Sequence, residues 1–80
     1  MSQFRTGSHG AILQHLSVID VDNVPAEDGL AFATGYITGK LGSPKDPVTQ
    51  FVPLPDYDAG WDLGSAVFHG TSPKPEWDRS

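Results

Sequence analysis

The chain has 80 residues, a formal net charge of −5 and no cysteine, and 38% of it is hydrophobic. That length is one small domain near the limit at which a single core sustains itself, and the missing thiols exclude disulfide staples, thiolate metal sites and cysteine nucleophiles. The acidic balance disfavours direct contact with nucleic acid or an anionic membrane, and no stretch approaches the roughly 20 apolar residues of a membrane span.

These bounds describe a soluble, cytoplasmic chain that folds, with a homodimer expected because so small a core has neither staples nor a structural metal. The charge is also segregated. No lysine or arginine lies between Thr6 and Gly39, yet Asp20, Asp22, Glu27 and Asp28 do; Asp46, Asp56, Asp58 and Asp62 repeat the pattern between Asp46 and Pro73. All five cations stand outside these blocks. A surface of this kind suits a basic partner.

In chain order, residues 1–10 are polar apart from Phe4 and read as a flexible arm. The alternation Ile19-Asp20-Val21-Asp22 sets two aspartates on one face of a half-buried strand, so 16–24 reads as strand, with a short helix through Gln14 and His15 as the competing pattern before it. Pro25 to Gly29 is a turn signal. In 30–41, Phe32, Thr34, Tyr36 and Thr38 alternate with smaller residues, which favours a strand. The rival is a helix with Leu30, Ala33, Ile37 and Leu41 as its stripe, in which Gly35 and Gly39 would each cost about 1 kcal/mol.

Pro44 and Pro47 break regular structure, and 48–54 reads as an edge strand limited by Pro53. Pro55 to Ser65 reads as a loop rich in aspartate and glycine, and 66–70 as a last short strand. Residues 71–80 read as an extended, proline-containing tail. Its one large apolar group, Trp77, has two destinations, its own body or another chain. The fold class expected is a β-rich single domain, an antiparallel sheet over a body at 11–70 that self-associates through an edge, with α+β as the alternative.

Chemical motifs fail one by one. Gly35 to Leu41 resembles a phosphate-binding loop but is one residue short between its glycines, and Leu41 replaces the Mg²⁺-binding hydroxyl; glycines serving close contacts explain it better. Asp20 with Asp22, and Asp56 with Asp58, offer hard oxygens, yet neither pair continues into a calcium loop. His9, His15 and His69 match no metal-site spacing, and Ser65 lacks the flanks of a hydrolase nucleophile. No catalytic residue, metal or cofactor is therefore expected.

What remains is recognition. Tyr57 and Trp61, interleaved with Asp56, Asp58 and Asp62, give rigid contact area among acids, and Asp20 and Asp22 extend the charge. The expected function is a non-enzymatic inhibitor or modulator that occupies a basic, nucleic-acid-binding surface of a larger protein, such as an effector complex. In composition alone, without a shared motif, the chain is similar to phage-encoded antagonists of host defence, anti-CRISPR proteins among them. The alternative is a small structural or assembly protein, a virion component or complex subunit, held to its neighbours by Phe4 and Trp77.

Overall fold

A computed structural model of the chain describes residues 16–79, so the expected arm at 1–10 and helix through Gln14 and His15 lie outside the described residues. The described fold is helical. It comprises a 3₁₀ turn at Val21–Asn23, helix α1 at Gly29–Lys40, a second 3₁₀ turn at Pro47–Gln50 and helix α2 at Pro55–Phe68. The expected antiparallel sheet is absent among the described residues. Segments 30–41 and 66–70 are helical as far as Lys40 and Phe68, 48–54 begins as a 3₁₀ turn, and 16–24 contributes a single antiparallel bridge, Ile19 to Asp78. The expected route of self-association, through a sheet edge, therefore has no counterpart among the described residues.

The helix ends follow from local chemistry. Asp28 caps α1, its side chain accepting a hydrogen bond from the Ala31 amide at 3.2 Å. Proline opens α2 at Pro55, where no intrahelical donor is lost, and Asp56 and Asp58 occupy the first turn, where carboxylates complement the helix dipole. Both helices stop at a glycine in the left-handed region, Gly42 at φ 77° and Gly70 at φ 78°. In the second case the Gly70 and Thr71 amides bond back to Val67 and Ala66 at 3.1 and 2.8 Å, satisfying carbonyls the helix leaves open.

Four glycines explain why 30–41 is helix despite its β-like alternation. A Cβ at Gly35 would fall on the Tyr57 carbonyl and 3.0 Å from the Trp61 amide; one at Gly39 would lie 2.7 Å from the Ser65 amide. The reciprocal holds for α2: a Cβ at Gly60 would sit 2.9 Å from the Tyr36 amide, and one at Gly64 2.7 Å from the Lys40 amide. Each helix therefore carries two glycines four residues apart and lays them against the other's backbone. The loss of about 1 kcal/mol of helix propensity per glycine is offset by this approach, which only a residue without a Cβ permits. The threonines fit too, since Thr34 and Thr38 hydroxyls donate to Leu30 and Thr34 carbonyls at 2.8 and 2.9 Å.

The contacts advance in the same direction along both helices: Gly35 meets Tyr57 and Trp61, and Gly39 meets Trp61 to Ser65. The helices are thus parallel, and residues 41–54 must return the chain past the pair. Two side chains of α2 pin this return, as Trp61 Nε1 donates to the Ser43 carbonyl at 2.9 Å and Tyr57 Oη accepts from the Asp46 amide at 3.1 Å.

Helix α1 is central and buried almost all round, from Phe32 to Gly39 with only Thr34 less covered. Its other side packs on Ile19 and Val24, with Leu63 and Val67 of α2 closing the core. The C-terminal segment completes it. Trp77 docks on its own body, edge-on to Phe32 and Tyr36 with ring centroids at 5.6 and 4.8 Å. Backbone bonds from Asp20 to Trp77 and from Arg79 to Val18, at 2.8 and 2.9 Å, stitch this segment beside residues 18–20.

Candidate functional site

The residues expected to meet a partner do not form one surface. Asp20 is held by Arg79 at 2.8 Å and by the Asn23 amide, beside the docked tail. Asp22 stands exposed in the first 3₁₀ turn. The stretch expected as a loop, 55–65, lies within helix α2, so its acids divide by face. Asp58 and Asp62 flank Lys45 Nζ at 3.6 and 3.7 Å, and the Asp58 Oδ1 on that side accepts no hydrogen bond. Asp56 points elsewhere, accepting from the Asp28 amide at 2.7 Å and tying the two helix N-termini together.

Tyr57 and Trp61 both have partners within the fold. Tyr57 is buried and bonded to the return segment, while Trp61 is half-buried, bonded to Ser43 and covered by the Lys45 ammonium 5.1 Å from its ring. Packing fixes both rotamers, and the aromatic contact area they leave to a partner is small.

The buried polar cluster sits on the opposite side of α1. Asp78, whose side chain is fully buried, accepts from Tyr36 Oη at 2.5 Å and pairs with Lys40 Nζ at 2.7 Å. Burial foremost, then the hydrogen bond and negative charge of Asp78, push the Tyr36 phenol above its ordinary 10.0. A phenol held neutral in this way donates a hydrogen bond and is no activated base. The cluster fastens the tail to α1. His69 caps α2 at the surface, edge-on to Phe68, and among the described residues no three histidine, aspartate or glutamate side chains are grouped to hold a metal.

Of the residues expected to meet a partner, Tyr57 alone lines a groove whose other walls were not anticipated from sequence. A groove of about 350 Å³ runs between the N-termini of α1 and α2 and the return segment, with Leu30, Ala31, Thr34, Leu54 and Tyr57 as its walls and Asp28 and Asp46 at its rim. No lysine or arginine lines it. Asp46 also caps the second 3₁₀ turn through the Val48 amide at 3.0 Å. Beyond that turn, Phe51 is 82% exposed, and Val48 and Val52 are also exposed. A second depression, of about 400 Å³ and lined by Asp20, Asn23, Glu76, Trp77 and Arg79, contains charges of both signs, of which Asp20 and Arg79 pair with each other. The signal for the groove was present in sequence as two aspartates directly before helix starts, Asp28 and Asp46.

Among the described residues no helix is long and apolar enough to cross a membrane. Comparison with protein-family models, with curated proteins and with solved structures finds no match to this chain.

Proposed function

We propose that the chain is a non-enzymatic acidic binding protein, an inhibitor or modulator that occupies a basic, nucleic-acid-binding surface of a larger protein, as phage-encoded antagonists of host defence such as anti-CRISPR proteins do. One observation carries this reading. Lys40, Lys45 and Arg79 each face an aspartate within the fold, while Asp28, Asp46 and Asp56 lie together where the helices begin, beside a groove that no lysine or arginine lines. Parallel helices bring both N-termini to the same end, so Asp28 of the first acidic block meets Asp46 and Asp56 of the second there. A field of one sign over one end steers a basic surface and repels nucleic acid.

The test is affinity capture from host extract with the tagged full-length chain, followed by competition between the chain and a labelled nucleic acid for the captured protein. The expected result is a basic nucleic-acid-binding protein from which the chain displaces the label. Association should be faster at low salt, and Asp56→Asn should slow it. A captured protein that holds the chain and its nucleic acid together would refute the proposal.

A further inference from the structure

Resting on the reading of the chain as a binder of basic proteins, we infer that the groove between the helix N-termini, with the ridge of Val48, Phe51 and Val52 beside it, is the docking face for a basic amphipathic segment of the partner. Such a segment presents apolar side chains flanked by lysine or arginine.

Groove and ridge are joined through the chain. Asp46 and Leu54, which line the groove, bracket the ridge in sequence, and the ridge is built back onto them: the Val48 amide donates to the Asp46 side chain, and the Phe51 and Val52 amides donate to the Val48 carbonyl at 3.0 Å. Leu30, 58% exposed, also lines the groove. Helix capping accounts for Asp28 and Asp46 by itself. It does not account for the uncovered apolar side chains, which cost nothing to replace by polar ones in a monomer and which cluster where the acids are.

Chemistry decides the occupant. A second copy of this chain would bring the same rim of aspartates against itself, carrying −5 on each side. The chain's own aromatic tail is already seated across α1. A lysine or arginine side chain matches both halves of the groove, with an apolar stem for Leu30 and Leu54 and a cationic head for Asp28 and Asp46. Phe51 then plays the part of an anchor entering an apolar site on the partner.

The experiment titrates the isotope-labelled full-length protein with three synthetic peptides of equal length, one an amphipathic leucine–lysine helix, one with glutamate for each lysine and one with serine for each leucine. The leucine–lysine peptide is expected to shift the amides of Leu30, Ala31, Thr34, Asp46 and Leu54 and to bind more tightly than the other two. Phe51→Ala should weaken it about tenfold, as loss of an anchor does, with an unchanged melting temperature because the ring is exposed. Asp46→Asn keeps a cap of equal quality and should weaken binding chiefly at low salt. Equal binding of the glutamate or serine peptide, shifts mapping elsewhere, or no binding at all would each overturn the inference, as would shifts at this face on simple concentration, which would assign it to a second copy. The peptides carry no nucleic-acid function. A docking face confirmed here therefore survives if the captured partner fails to compete with nucleic acid, and the reverse also holds.

Discussion

Replacing Gly60 by alanine sets two effects of opposite sign against each other. On an exposed helix the change would stabilise by about 1 kcal/mol through propensity. In this fold the added methyl would lie on the Phe32 carbonyl and 2.9 Å from the Tyr36 amide, both backbone groups fixed within α1. No rotamer relieves that contact, so the helices must separate. Overpacking of this kind costs about 1–3 kcal/mol and more where the neighbour is rigid, and the parting would also loosen the reciprocal contacts at Gly35, Gly39 and Gly64. A net loss of about 2–3 kcal/mol is expected, which for a domain of this size lowers the melting temperature on the order of 10–20 °C. Thermal unfolding followed by circular dichroism measures it. The double variant Gly35→Ala with Gly60→Ala should lose less than the sum of the singles, because one parting of the helices serves both methyls. A melting temperature unchanged or raised by Gly60→Ala would refute the backbone-to-backbone packing of the pair.

Two further expectations concern the tail clasp. Asp78→Asn keeps the shape but leaves Lys40 without its carboxylate; a loss of about 3 kcal/mol is expected in urea unfolding, at the low end for a broken buried pair because Lys40 is 18% exposed and can turn toward water, and a loss within about 1 kcal/mol would show that the pair contributes little. Because the folded-state value of Tyr36 is raised, its contribution to stability is fully present below pH 10 and falls as pH climbs past that value, where the unfolded chain gives up a proton that the folded chain keeps. Tyr36→Phe should lower stability at neutral pH and remove this part of the alkaline loss, and parallel curves for the two proteins above pH 10 would rule out the assignment.

How much of this was legible in the sequence depends on which side of a helix pair one considers. The stripe Leu30, Ala33, Ile37 and Leu41 did mark α1 as a candidate helix, and Asp28 before it is an ordinary cap signal. The glycines decided wrongly, because their propensity cost is visible in one segment while the compensation lies in another, twenty-five or so residues away, where Gly60 and Gly64 repeat the same spacing. Read together, the two four-residue glycine spacings describe helices in backbone contact, a pattern best known from membranes but resting on packing alone. Helix α2 was hidden for the same reason. Pro55 followed by Asp56 and Asp58 is a helix start, and only the glycines and aspartates made it look like a loop. For the site, the charge blocks were readable, but which acids share a face was not. That sorting comes from the parallel arrangement, which gathers Asp28, Asp46 and Asp56 at one end and leaves Asp20 with Arg79 at the tail.

The parallel pair also sets how the chain reaches its native state. Two antiparallel helices on a short loop form their contacts locally and rapidly, whereas here the return segment must be closed before α1 and α2 can touch. The clasp then joins residues 42 and 59 positions apart, Tyr36 to Asp78 and Asp20 to Arg79. A helical domain thereby depends on contacts distant in sequence, and its refolding is expected to be slower than that of an antiparallel helical hairpin of the same length.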